Sequence, residues 1–130
     1  MELKGADMSG SILVETLLTK AEFDAANLED ANLTRANLWG ANLVGASLKN
    51  ANMQEANLRS SKLMNADLEG ADLSGSELNF ADLSGANLKS VNLTSSLCVH
   101  VDMTAVDLSG AILKDLLNWA DIKSIKEANV

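Results

Sequence analysis

Cys98, His100 and Asp102 are the residues whose types most readily suggest chemistry, because a thiol beside an imidazole can make a nucleophile and its base. They are the chain's one cysteine, its one histidine and a nearby carboxylate, each two positions from the next. A zinc site needs three or four ligands, and Asp102 alone does not complete one. Asp67, Asp72 and Asp82 raise a second idea, acid–base pairs or a calcium ladder. Asn32-Leu33-Thr34 and Asn92-Leu93-Thr94 match glycosylation sequons, and no Gly-rich phosphate loop joins a strand to a helix. Whether any of these side chains converge is decided by the element that carries them.

That element is set by one period. An apolar residue returns at every fifth position from Leu3 to Leu113, through 23 pentads without a slip of phase. Two residues before each stands a small side chain, usually Ala, and between them most often Asn or Asp, as in Ala26-Asn27-Leu28 and Ala71-Asp72-Leu73. An α-helix advances about 100° per residue, so a five-residue step drifts by roughly 140° and leaves no buried stripe. A flat strand alternates faces, so the same step sends successive leucines to opposite sides. A chain that corners once per pentad buries the pattern. Four sides close a square coil of twenty residues, and coils stack at roughly 4.8 Å into a continuous core. Corners call for turn chemistry, and Gly, Asn, Asp and Ser are abundant around them, as at Gly40, Gly45, Gly70, Gly75 and Gly85. The lack of proline fits a backbone whose amides are mostly required by ladders.

On this geometry Cys98 points inward as a leucine substitute and His100 outward, so the pair cannot converge. Asp67, Asp72 and Asp82 fall on different sides, while Asp82 stacks over Lys62 and under Asp102. Solvated outward charge is the reading of these carboxylates. No insertion interrupts the pentads to build a cleft. The expectation is a protein without catalytic residues, bound metal or cofactor.

The repeated Ala-Asn/Asp-Leu-X-X resembles the pentapeptide-repeat family, and eleven pentads read strictly Ala-Asn/Asp-Leu/Met. The resemblance implies an all-β solenoid, a right-handed quadrilateral parallel β-helix. It carries little about function, because one fold hosts many roles. It also implies that some members, resembling B-form DNA in shape and charge, bind type II topoisomerases such as gyrase as DNA mimics. Some topoisomerase-protecting relatives carry projecting loops, which this chain lacks, and tend to form tail-to-tail dimers.

At 130 residues the chain reads as one domain, with 1–113 the repeat region of just under six coils, a rod roughly 25–30 Å long. Eighteen acidic residues against ten basic ones give a net charge of −8. Direct binding to nucleic acid needs clustered Lys and Arg, and an anionic membrane surface likewise disfavours such a chain. No apolar run approaches spanning length, the first residues are no secretory signal, and a single cysteine excludes an internal disulfide. The cytoplasm is the expected compartment, and the sequons follow from the repeat.

The pattern departs from itself in four places. Residues 11–20 keep phase but put Ile12 and Leu17 at the usually polar position, so this stretch is either covered by a neighbour or a short helix. Val91, Leu97, Val101 and Val106 enlarge positions that are otherwise small or polar, so the last coils should be wider or more distorted. After Leu113 the spacing of Leu113, Leu116, Leu117 and Ala120 is helical, which predicts a C-terminal cap over 114–130 with a helix from about 114 to 126. Ala120-Asp121-Ile122 and Ala128-Asn129-Val130 instead look like pentads out of phase, compatible with a longer parent chain. At the N-terminus the repeat starts at Leu3 without a comparable cap, which suggests end-to-end self-association or a preceding segment.

Sorted by wall, three sides of the square are net acidic and the fourth, with Lys20 and Arg59 against Glu77, is net +1. On that wall the corner residues stack as Thr19, Trp39, Arg59, Asn79 and Val99, and beside them Lys20, Gly40, Ser60, Phe80 and His100. Trp39, Phe80 and Val99 are expected in solvent, with Arg59 at cation–π distance from Trp39. Val44 and Met64 extend the patch at the adjoining corner. Aromatic residues and Arg are common hot spots, so a lateral protein-binding surface of Trp39, Arg59, Phe80, Val99, Val44 and Met64 is one expectation. A homodimer through an end of the rod is another, with Leu116, Leu117 and Trp119 as self-association or cap residues. The function expected is a rigid scaffold or binding module. The alternative is an acidic topoisomerase-binding DNA mimic, and an enzyme has no supporting constellation.

Overall fold

Each pentad of the computed structural model, which describes residues 1–118, is one side of a coil. Its second residue bridges to the coils above and below at an offset of twenty: Asn27 pairs in parallel with Asp7 and Ser47, and Asn37 with Leu17 and Asn57. Residues twenty apart therefore share a wall, from the Glu2–Glu22 bridge to the Leu97–Leu117 bridge.

The corner follows from one turn bond. Ala26 N–H donates to Phe23 C=O at 2.9 Å, closing a β-turn over Asp24 and Ala25. Ala25 has φ +56°, and a positive φ at the second central residue is the type II requirement. The same left-handed fifth residue recurs along the described pentads, filled by Gly at Gly40 and Gly70 and by other residues at Asn50 and Phe80.

Three more amides of the pentad run between coils. Glu22 N–H donates to Met1 C=O at 2.8 Å, Phe23 N–H to Asn42 C=O at 2.7 Å and Ala25 N–H to Val44 C=O at 2.9 Å. The fourth residue's amide remains, and the repeated Asn or Asp supplies its acceptor. Glu29 N–H donates to Asn27 Oδ1 at 3.0 Å and Ser74 N–H to Asp72 Oδ1 at 2.9 Å. The recurrence of Asn and Asp thus follows from the Asx turn they close at their corners. In such a pentad every amide has a partner, which leaves proline no place.

First and third residues fill the square. Ala31, Leu33, Ala36 and Leu38 have no exposed surface, and the core runs from Leu18 to Leu108. In the first coil Leu3, Met8 and Leu13 are only partly buried. Residues 11–20 belong to that coil, with Ile12 bridged to Asn32 and Leu17 to Asn37, so the helical alternative is overturned. Both side chains are exposed, Ile12 at 82% and Leu17 at 77%. The distortion expected of the last coils is visible as stretched bonds: Val106 N–H to Met103 C=O and Asp107 N–H to Ala86 C=O are both 3.4 Å, while Val91, Val101 and Val106 stay buried.

The C-terminal helix does not begin at residue 114. Ile112 bridges Asn92, Leu117 bridges Leu97, and Asp115 has φ +52°, so the pentad geometry continues through 117; Asn118 departs from it, with φ +60° at a third position. The rest of the predicted cap, Trp119 included, lies outside the described residues.

Candidate functional site

Fixed walls decide which side chains can meet. Cys98 is fully buried, and burial pushes its thiol above the usual range against a weaker opposing hydrogen bond from Ser96, whose Oγ is 3.6 Å away. His100 is exposed and lies against Phe80, ring centroids 5.4 Å apart. Asp102 accepts the N–H and hydroxyl of Thr104, at 2.9 and 2.6 Å. The three suggestive residues thus face a core, an aromatic ring and a corner. Among the described residues no group of three or more His, Cys, Asp or Glu could hold a metal ion, and no helix is long and apolar enough to cross a membrane.

The lateral column is continuous. Lys20 N–H donates to Trp39 C=O, Gly40 N–H to Arg59 C=O, Ser60 N–H to Asn79 C=O and Phe80 N–H to Val99 C=O, all at 2.8–2.9 Å. Trp39, Arg59, Asn79 and Val99 therefore climb one corner in successive coils. Trp39 is 40% and Phe80 56% exposed, while Val99 is half-buried. Asn79 turns in and its Oδ1 accepts the Val99 amide at 2.9 Å, so this rung offers no polar head to solvent.

One expected pairing is corrected. The cation over Trp39 is Lys20, its Nζ 5.1 Å from the ring centroid. Arg59 instead reaches the other way along the column, with Nη1 3.8 Å from Glu77 Oε2. A long side chain in such a stack has a neighbour above and one below, and the carboxylate outcompetes the indole for the guanidinium. The rod face thus presents Lys20 on Trp39, the Arg59–Glu77 pair and Phe80 on His100.

Val44 and Met64 share the next corner, where Gly45 N–H donates to Met64 C=O at 3.0 Å, and both are half-buried. Between the two corners runs the polar column Glu22, Asn42, Lys62 and Asp82. The six residues form two strips across a polar wall. Leu116 packs against the core, and Leu117 is 50% exposed.

The larger exposed side chains are elsewhere. Ile12 and Leu17, with Val14 at 38%, wrap one corner of the first coil, and Ile112 at 50% occupies the same column as Ile12 five coils away. The signal was present in the sequence as apolar residues in the polar slot.

Comparison with known proteins places this geometry. A family model described as pentapeptide repeats (8 copies) matches residues 2–40, 31–70, 41–79, 51–90 and 81–115. HetL, a pentapeptide repeat protein involved in heterocyst differentiation regulation from the cyanobacterium Nostoc sp. Strain PCC 7120, is 31% identical with a TM-score of 0.57. The match covers 88% of this chain and 58% of HetL, so the chain spans little more than half the length of that protein. A pentapeptide repeat protein of the Arabidopsis thaliana thylakoid lumen is 30% identical with a TM-score of 0.57, covering 82% of this chain and 70% of its own. QnrB1, a plasmid-mediated fluoroquinolone resistance protein, has a TM-score of 0.73 at 16% identity, covering 98% of this chain and 71% of its own, a likeness of fold alone. Among curated proteins none matches. These likenesses make the stack of square coils a right-handed quadrilateral β-helix.

Proposed function

This chain belongs to the pentapeptide-repeat family, and from that premise we propose that it is a non-enzymatic binding module that engages a protein partner through the Trp39–Phe80 corner. The observation that carries the reading is Phe80. It is 56% exposed at the fifth position of its pentad, which other corners fill with Gly or with small or polar residues. An aromatic ring held out to solvent there serves neither the turn nor the core. Trp39 two coils below and Arg59 between them add the side chains that interfaces favour. Lys20 and Arg59 along the same corner suit an acidic partner segment.

The experiment compares the chain with its Trp39→Ala/Phe80→Ala variant as baits for a protein partner. The variant should keep its circular dichroism and unfolding midpoint and lose the partner. Equal capture by both would contradict this face.

A second reading, an acidic DNA mimic that binds a type II topoisomerase, is favoured by the three acidic walls. Part of that charge is already engaged, as in the Lys4–Asp24, Lys49–Asp67 and Arg35–Glu15 pairs at 2.7, 3.4 and 2.7 Å. A gyrase supercoiling assay separates the two: no inhibition at excess protein retires the mimic. On either reading the rod has just under six coils, and Leu116 and Leu117 belong to the last described one.

A further inference from the structure

We propose that the lateral wall carrying Ile12 and Ile112 is the face on which a second copy of this chain docks, turned end for end about a two-fold axis that passes between Asn52 and Asp72. This wall shares neither of its corners with Trp39 and Phe80, so the inference is independent of the binding face above.

The central column of the wall is Ile12, Asn32, Asn52, Asp72, Asn92 and Ile112, joined rung to rung by parallel bridges. Inverted, it complements itself. Ile12 meets Ile112 of the partner subunit, Asn32 meets Asn92 of the partner subunit, and Asn52 meets Asp72 of the partner subunit. The two isoleucines are 82% and 50% exposed, and the four polar residues between them are half-buried. Asn52 accepts the Gln54 amide on its Oδ1, so what it offers a partner is its Nδ2 donor, which suits a carboxylate.

The columns at the two corners follow the same rule. Thr34, Gln54, Ser74 and Thr94 stack at one corner, and Gln54 leans over the wall to Asp72, its Nε2 2.6 Å from Oδ2. Inversion sets Thr34 against Thr94 of the partner subunit and Gln54 against Ser74 of the partner subunit. At the other corner Glu29, Lys49, Glu69 and Lys89 alternate in sign from coil to coil. There inversion sets Glu29 beside Lys89 of the partner subunit and Lys49 beside Glu69 of the partner subunit. Lys49 and Lys89 hold Asp67 and Asp107 at 3.4 and 3.5 Å, yet are 43% and 50% exposed, which leaves each ammonium open to a second carboxylate.

An isologous contact requires that residue i meet j and j meet i, so a wall that complements its own reversal fits its own copy. The other three walls do not. Inversion would set Glu22 against Asp82 of the partner subunit on one, Asp7 against Asp107 of the partner subunit on the next and Leu97 against Asn37 of the partner subunit on the third. A parallel pair on the proposed wall would instead set Asp72 against Asp72 of the partner subunit, a like-charge contact. The rod's 6039 Å² of accessible surface gives each wall with its corners roughly 1,000–1,500 Å², enough for the roughly 800 Å² per partner of a standard interface.

Sedimentation equilibrium of the 130-residue chain should show the mass rising from 13.7 kDa toward twice that value with concentration. Ile12→Asn with Ile112→Asn, which extends the amide column to both ends, should weaken the dimer at least tenfold with unchanged dichroism. Lys89→Glu should weaken it too, and adding Glu29→Lys should restore it, whereas Trp39→Ala with Phe80→Ala should leave it intact. Mild oxidation should link a mixture of Ile12→Cys and Ile112→Cys chains into a covalent dimer and link neither alone, because the inverted fit holds like positions about 24 Å apart, five coil steps. A chain that is monomeric at every concentration overturns the proposal. So does a dimer that forms cross-links within each single-cysteine variant but none between the two, or one that both the Ile12/Ile112 and the Lys89 substitutions leave unchanged.

Discussion

The fifth residue of each pentad bears the cost of the square, because each corner needs a left-handed backbone there. Gly45 and Gly70 have φ +65° and +70°, and a Cβ on Gly45 would meet nothing within 4 Å while one on Gly70 would lie 2.5 Å from Asn50 Oδ1. Gly45→Ala should therefore destabilise by about 1 kcal/mol, the backbone effect alone, and Gly70→Ala by more because Asn50 must move. Denaturant titration of the two variants checks the order. Phe80→Asn gives the opposite test: Asn tolerates this conformation, so stability should hold within about 1 kcal/mol while partner binding is lost. A large loss of stability would instead make Phe80 a structural residue.

Acid sensitivity belongs to individual carboxylates as well. Asp72 is pushed up by burial, but hydrogen bonds from Gln54 and Ser74 prevail and hold its carboxyl below the ordinary 3.8. Asp7 and Asp107 are likewise lowered by the hydroxyl and amide of Ser9 and Ser109. A carboxyl depressed in the folded state contributes stability above its unfolded pKa and loses it as pH falls through the folded value. The unfolding midpoint should therefore decline as pH drops below the ordinary carboxyl range, and Asp72→Asn should flatten that decline. The sequence marked Asn and Asp as turn residues near the corners and their charge as solvated. Their work as acceptors for the fourth amide was not legible, because a period shows where a side chain recurs but not which amide lacks a partner.

The pentad is the unit that packs, and its two inward residues set its strength. Leu58→Ala, at a position with no exposed surface, should cost about 2–5 kcal/mol. Asn57→Ala removes the acceptor of the Arg59 amide, a bond of 3.2 Å at an exposed corner, and should cost about 1 kcal/mol. Thermal unfolding of both variants should preserve that ranking. This level was the most readable from sequence, since phase alone fixed the walls, the buried positions and the column of Trp39, Arg59 and Val99. The predicted helix from residue 114 shows where periodicity misleads. A third residue and the first and second residues of the next pentad are spaced i, i+3, i+4, which is also a helical stripe. Leu113, Leu116 and Leu117 match it because Leu117 replaces the usual Asn, yet its bridge to Leu97 keeps the coil. The Lys20–Trp39 contact escaped prediction for a similar reason: stacking fixes neighbours, not which of two neighbours a flexible cation chooses.

As a whole the rod is acidic on three walls and carries its aromatic corner on the fourth, so its charge and its apolar groups address different partners. Surface ion pairs such as Arg59–Glu77 contribute little to stability, which leaves that wall free to specify binding. A partner held there should dissociate faster with Trp39→Ala than with Val44→Ala, because the Val44 strip lies across a polar wall.

Everything about that face depends on residues twenty apart lying one above another, and a distance measurement tests this directly. Spin labels at Trp39→Cys and Val99→Cys, in a Cys98→Leu background, are separated by three coil steps of roughly 4.8 Å. The account predicts a single narrow distance of about 15 Å between the backbones, widened only by the label arms. A broad distribution, or a separation clearly beyond that value once the label arms are allowed for, would place the two residues on different walls and contradict it.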